Sequence, residues 1–210
     1  MNDHSTMVGR SYHATDIAQQ RAVYDDWAEQ YERDLCAMGN RIPGQCAALF
    51  AHYVPREVAP ILDAGCGTGQ QSHPLALLGY GPFVGIDLSQ GMLDMAERKG
   101  VYQSLHRMTL GEPLDFPDDH FPAIMCCGVL TPGHAPASSL FELIRIAKPG
   151  APIVFSIRDD AQQEPQYPNT VAELDASGVW RREFCTAPFQ SMPFGEPEVY
   201  HRAFLYYKNG

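Results

Sequence analysis

The run Ile61-Leu62-Asp63-Ala64-Gly65-Cys66-Gly67-Thr68-Gly69 restricts the fold more than any other part of the chain. An apolar stretch ends in an acid, and three alternate glycines follow before a polar helix start. A strand that enters such a turn and leaves it as a helix is half of a β-α-β unit. Its glycines let bare backbone N–H groups approach a ligand at the spot where the helix aims its positive end. The pattern then repeats. Short apolar runs at 60–64, 83–87, 123–128 and 152–157 are bounded by Gly, Pro and Asp, with helical patterns such as 91–98 and 138–147 between them. This alternation predicts an α/β fold: a Rossmann-like, doubly wound, mostly parallel sheet with helices on both faces.

Ligands of such sheets sit beyond the carboxyl ends of the strands, where Asp63, Asp87 and Gly128 all fall. Asp63 would repel a pyrophosphate, and Gly-x-Gly-x-Gly lacks the last spacing of the dinucleotide Gly-x-Gly-x-x-Gly. An acid there suits a ligand that carries an ammonium and a sulfonium. Asp87 closes the second apolar run, Phe83-Val84-Gly85-Ile86-Asp87, and is placed to grip the two hydroxyls of a ribose. The cofactor so described is S-adenosyl-L-methionine.

Through these segments and four others the chain resembles a class I S-adenosylmethionine-dependent methyltransferase, and in particular the small methyltransferase-like proteins of the Williams-Beuren-region type. The matching segments are Tyr24-Asp25-Asp26-Trp27-Ala28-Glu29-Gln30-Tyr31, the Asp63–Gly69 loop, Gly85-Ile86-Asp87-Leu88-Ser89-Gln90-Gly91-Met92-Leu93, Pro117-Asp118-Asp119-His120-Phe121, Gly128-Val129-Leu130-Thr131-Pro132-Gly133-His134 and Lys148-Pro149-Gly150. They run in the family's order across residues 20 to 160. The resemblance implies that Asp63, Gly65, Cys66, Gly67 and Gly69 form the cofactor loop, with Asp63 orienting the loop and meeting the methionine ammonium, partly through water, and that Asp87 and Leu88 hold the ribose. Cys127 and Gly128 would contact the cofactor through the backbone, and the hydroxyls of Tyr24 and Tyr31 would reach its methionine end. Many members hold the adenine amino group with an acid shortly before the Pro-Asp-Asp turn, where this chain has Thr109; adenine contacts are therefore carried to Thr109 and Leu110. Met92 either covers the adenine face with its thioether or packs in the core. Two aromatic extended runs, 181–189 and 198–207, are separated by Gly195-Glu196-Pro197. The family implies that they form an antiparallel hairpin closing the sheet edge.

Length and charge narrow the rest. At 210 residues the chain is read as one domain over 1–210: a mobile start over 1–15, a helical lid over 16–45 and a Rossmann-like core over 46–210. Ile17, Val23, Tyr24, Trp27 and Tyr31 give the 16–45 segment an apolar stripe, which serves packing, a lid over the cofactor, or both. A net charge of -10 with only three lysines, Lys99, Lys148 and Lys208, argues against a nucleic-acid partner and for an electroneutral or cationic small-molecule acceptor. No signal peptide or apolar span is read, so a cytoplasmic location without membrane partners is expected. Six cysteines without Cys-x-x-Cys or Cys/His ligand spacing are read as free thiols, with no metal site.

Methyl transfer is an in-line displacement, so positioning and exclusion of water are its main demands. A hydroxyl or protonated amine acceptor also needs a base, and His134, on the loop after the 123–128 run, is the candidate. Its structural alternative is a loop histidine that hydrogen-bonds a backbone carbonyl. Two further functional readings stay open: a protein that binds S-adenosylmethionine or S-adenosylhomocysteine without turnover, and a nicotinamide-dependent oxidoreductase. The latter lacks both the dinucleotide spacing and a Tyr-x-x-x-Lys pair.

Overall fold

The computed structural model describes residues 6–160 and 164–210. Seven helices and eight strands are present among them: α1 (Met7–Tyr12), α2 (Ile17–Ala37), α3 (Ile42–Tyr53), β1 (Ile61–Ala64), α4 (Ser72–Leu77), β2 (Phe83–Asp87), α5 (Gln90–Glu97), β3 (Tyr102–Arg107), β4 (Ala123–Leu130), α6 (Ser139–Ile146), β5 (Pro152–Arg158), α7 (Gln166–Ser177), β6 (Trp180–Cys185), β7 (Phe189–Met192) and β8 (Glu196–Lys208). The sheet order is β3-β2-β1-β4-β5-β8-β6, with β7 paired to β8. Strands β1 to β5 run parallel, and β8 joins β5 antiparallel.

Alternation along each central strand divides its side chains between two layers. Leu62, Ile86, Ile124 and Phe155 face α6 and α7, where Leu140, Leu143, Tyr167 and Leu174 are buried with them. Ile61, Phe83, Met125 and Val154 face α3 and α4, against Phe50, Cys46 and Leu75. Every residue of β5 is buried, as a central strand with helices on both faces requires. Burying a large apolar side chain contributes about 1.5–3 kcal/mol relative to exposure, so these two layers carry the fold.

The expected C-terminal antiparallel pair closes the sheet edge: β8 lies between β5 and β6, antiparallel to both, and β6 takes the edge. The stacked rings of Phe155, Trp180 and Tyr206 pin this arrangement, with centroids 4.0 Å apart for Trp180 and Tyr206. Strand β3 was not anticipated, because Tyr102–Arg107 is a half-exposed edge strand with polar residues at most positions. The start of the chain was expected to be mobile over 1–15, yet Met7–Tyr12 is helical. Thr6 caps that helix by accepting from the Gly9 N–H at 3.0 Å, and Gly9 and Ser11 are buried. Residues 1–5 of that expectation lie outside the described residues. The boundary drawn at residue 46 falls inside α3, whose sequence continues the apolar pattern across it.

Helix α2 takes up 21 residues of the 16–45 segment expected to be helical, capped by Asp16 accepting from the Gln19 N–H at 2.8 Å, and α3 begins before that segment ends. Val23, Trp27, Ala28 and Leu35 are buried, whereas Ile17 is 43% exposed. The helix crosses the carboxyl ends of β1 and β2 and is fastened there by its own acids. The Asp25 Oδ1 accepts from the Ser89 hydroxyl at 2.6 Å and from the Gly91 N–H at 2.9 Å. Glu32 accepts from the Thr68 hydroxyl at 2.6 Å and pairs with Lys99 at 2.8 Å. Gly91 permits the close approach, since a Cβ there would meet the Asp25 backbone at 3.1 Å. No described helix is long and apolar enough to cross a membrane.

Candidate functional site

The turn after β1 is folded by the end of β2. The N–H groups of Gly65 and Cys66 both donate to the Ile86 carbonyl, at 2.8 and 2.9 Å. Gly65 and Gly67 have φ of +70° and +52°, the left-handed region that glycine adopts without strain. The two glycines differ in what lies around them. A Cβ at Gly65 would come within 2.5 Å of the Val129 Cγ2, whereas one at Gly67 would meet nothing within 4 Å. Gly67 borders a cavity of about 250 Å³, and a side chain there would enter it.

Asp87 ties this loop to the next helix. Its Oδ2 accepts from the Gly67 N–H and its Oδ1 from the Ser89 N–H, both at 2.9 Å, and the carboxylate borders the cavity. Each oxygen keeps a second acceptor site for a ligand hydroxyl. Burial pushes the Asp87 carboxyl up to about 6, against the two backbone N–H groups that favour its charged form. It is therefore ionised at neutral pH. The expectation for Asp63 is corrected. Its side chain is fully buried and does not border the cavity; Oδ1 accepts from the Gln71 amide at 2.7 Å, and Oδ2 from the Ser72 hydroxyl at 2.6 Å and the Tyr102 hydroxyl at 2.8 Å. Asp63 thus anchors the start of α4 and the edge strand β3 beneath the loop, instead of meeting an ammonium. Gly69 is also absent from the cavity wall, lying against Tyr102 and Lys99.

The remaining sequence candidates converge. Gly65, Cys66, Gly67, Asp87, Leu88, Met92, Thr109, Leu110, Cys127 and Gly128 all border the cavity from the strand ends, and Tyr24, Tyr31 and His134 close it from above. Gly128 interrupts the β4–β5 ladder and donates its N–H to the Ser156 hydroxyl at 2.8 Å. Met92 is 1% exposed and still borders the cavity, so packing and ligand contact are both open to it. Tyr24 and Tyr31 flank Trp27, with Trp27 and Tyr31 edge to face at 4.7 Å. Burial raises the phenols of Tyr24 and Tyr31 above their ordinary range and keeps them protonated.

His134 combines the two readings left open for it. Its Nδ1 lies 3.1 Å from the Pro132 carbonyl, which can only accept, so Nδ1 carries the proton and Nε2 keeps its lone pair. Burial lowers its pKa below 6.5, which favours the neutral ring. The rings of Tyr12 and Tyr24 pack on it at 5.6 and 5.9 Å.

Other wall residues were missed in the sequence: Tyr12, Gln20, Thr131 and His201. Tyr12 donates to Glu196 at 3.2 Å, and the Gln20 amide donates to the Gly133 carbonyl at 2.8 Å. His201 had a readable signal, because it takes an inward position in the alternation Val199, His201, Ala203, Leu205, where an apolar residue is the norm.

A family model described as a methyltransferase domain matches residues 62–155. The human methyltransferase-like protein 27 is 33% identical over 171 residues, covering 79% of this chain and 69% of that protein. The chain belongs to the class I S-adenosylmethionine-dependent methyltransferases. A demethylmenaquinone methyltransferase of Clavibacter sepedonicus is 32% identical over 145 residues, 65% of this chain and 56% of that protein. In fold, a SAM-dependent methyltransferase of Thermotoga maritima superposes with a TM-score of 0.63 at 15% identity, covering 90% of this chain and 99% of that one.

S-adenosylmethionine is the methyl donor of this family, and the residues present fit it. The cradle at Gly67 is one that any Cβ would fill, and the Asp87 carboxylate stands beside it with acceptor capacity to spare.

Proposed function

We propose that this chain transfers the methyl group of S-adenosylmethionine to a small-molecule acceptor held between α1, α2 and the carboxyl ends of β4 and β5. The observation that carries the reading is a shared cavity: the Gly67 cradle, the Asp87 carboxylate and the His134 ring all border it. When bound, the cofactor supplies an electrophilic methyl on a sulfonium. Asp87 holds the ribose hydroxyls, the Gly65–Gly67 backbone receives the methionine end, and Met92, Thr109 and Leu110 flank the adenine. Tyr24 and Tyr31 cover the reacting groups and keep water out, with α1 and α2 acting as the lid. His134 Nε2 takes the acceptor proton as the new bond forms.

The acidic balance of the chain supports a small molecule over a polyanion, as does a relative named for demethylmenaquinone. Six free thiols support a cytoplasmic setting. Calorimetry with S-adenosylmethionine, S-adenosylhomocysteine and NAD tests the cofactor, and an acceptor screen that follows S-adenosylhomocysteine release tests turnover. Binding of NAD in place of the first two would refute the reading, and cofactor binding with no turnover across the screen would favour a binding protein.

A further inference from the structure

The cavity has two unlike ends. Its only acids, Asp87 and Glu112, lie at the cofactor end, by β2 and the segment after β3, and among the described residues no Lys or Arg borders it anywhere. The other end lies over β4, β5 and β8 and is walled by Tyr12, Tyr24 and His134. Two polar atoms there lack any hydrogen-bond partner among the described residues: Thr131 Oγ1 and His201 Nδ1. Their residues are 5% and 3% exposed, and both border the cavity. A buried polar atom without a partner costs about 1–3 kcal/mol, so two of them at one end of a cavity mark groups that a ligand completes.

The chemistry of that ligand follows from the wall. Among the described residues no Lys, Arg, Asp or Glu borders this end of the cavity to pair with an ionic acceptor; the charges behind its wall have partners, Arg158 with Asp160 at 2.7 Å and Glu196 with the Tyr12 hydroxyl at 3.2 Å. Aromatic sides favour a flat apolar body. A hydroxyl both donates and accepts, so it satisfies Thr131 and His201 whichever ring nitrogen of His201 carries the proton. Burial, with Arg158 adding to it, pushes His201 down to about 4, so its ring is neutral and offers no charge to an anion.

We propose that the β4/β5/β8 end of the cavity binds an uncharged, flat, hydroxyl-bearing acceptor, and that Thr131 and His201 are the residues that recognise its hydroxyl. This narrows the electroneutral or cationic acceptor expected from composition, and it rests on the proposed methyl transfer. In that transfer the hydroxyl oxygen forms the bond to the methyl carbon, the sulfur keeps the electron pair of the bond that breaks, and the hydroxyl proton leaves to His134. Thr131 and His201 orient the oxygen and are not consumed.

The test is equilibrium dialysis of the whole chain, saturated with S-adenosylhomocysteine, against four probes: 2-naphthol, 2-methoxynaphthalene, 2-naphthoate and 2-naphthylmethylammonium. The expected result is binding of 2-naphthol at least tenfold tighter than each of the others. Thr131→Val, which keeps the side-chain shape, and His201→Phe should each weaken 2-naphthol about tenfold while leaving S-adenosylhomocysteine binding unchanged. His201→Asn, which returns a polar atom near the Nδ1 position, should recover most of the loss, and it serves with Thr131→Val if the phenylalanine variant does not fold. Tight binding of S-adenosylhomocysteine without preference for 2-naphthol, or with a preference indifferent to both residues, overturns this inference alone. Failure to bind S-adenosylhomocysteine overturns the methyltransferase reading and this one with it.

Discussion

Replacing Asp87 with Asn tests the centre of the proposed cofactor site, because one side chain holds the loop and, in that proposal, the ribose as well. In the wild type each carboxylate oxygen accepts one backbone N–H at 2.9 Å, from Gly67 and from Ser89. An asparagine satisfies one of these and turns its own NH₂ toward the other, so the protein should lose about 1–3 kcal/mol of stability, the cost of an unpaired buried donor. Ligand binding should fall further. The ribose hydroxyls lose charge-assisted bonds together worth about 2–3 kcal/mol, which corresponds to a roughly 30- to 150-fold weaker dissociation constant. The wild type should also show a pH signature. With the carboxyl pushed up to about 6, affinity for S-adenosylhomocysteine should be nearly constant above pH 7 and fall about tenfold per unit below about pH 6 as the acceptor oxygens are protonated. For stability of the ligand-free protein the sign is opposite. A raised carboxyl favours the folded state fully below its unfolded pKa near 3.8, and that contribution is lost as pH rises through about 6. Calorimetric titrations of both proteins between pH 5 and 8 measure these effects. An Asn variant that is folded and binds with the wild-type constant, or a wild-type affinity flat down to pH 5, would refute the reasoning.

The two loop glycines should part company: Gly65→Val should unfold or strongly destabilise the protein in a thermal melt because of its contact with Val129, whereas Gly67→Ala should stay folded and lose cofactor binding in calorimetry. If Gly67→Ala binds normally, the cradle assignment is wrong. Asp63→Ala leaves three donors from Gln71, Ser72 and Tyr102 without their acceptor, so urea denaturation should show a loss of about 3 kcal/mol or more; a variant as stable as wild type but weak in binding would restore the ammonium contact. His134→Ala should lower turnover about a hundredfold with cofactor affinity nearly unchanged. The acid limb of the wild-type rate should lie below pH 6.5, since burial lowers the His134 pKa; a limb at or above 6.5 contradicts a buried neutral base.

How far the chain could be read before folding depended on whether a residue's partners were local. The glycine loop and the acid closing β2 are short-range patterns, and the strand ends they mark were found where expected. Strand β3 was not, because an edge strand with only one covered side shows little apolar alternation. Helix α1 has no period to detect in six residues and gains its stability from packing on α2. Asp63 and Asp87 look alike as strand-ending acids; what separates them is the set of distant donors, Gln71, Ser72 and Tyr102, that keeps one out of the cavity wall. Thr131 and His201, seventy positions apart, are brought to one cavity only by the insertion of β8 beside β5, a long-range pairing that no local signal records.

The fasteners of α2 are set in the same short loops that form the cofactor's seat. Asp25 grips Ser89 and Gly91, within four residues of Asp87, and Glu32 grips Thr68, next to Gly67. Roof and floor therefore cannot loosen independently. A change at either one is passed to the other through Thr68, Ser89 and Gly91. Because Glu32–Lys99 and Glu29–Arg98 are partly solvent-exposed pairs that join α2 to the end of α5, raising the ionic strength should weaken this part of the fastening.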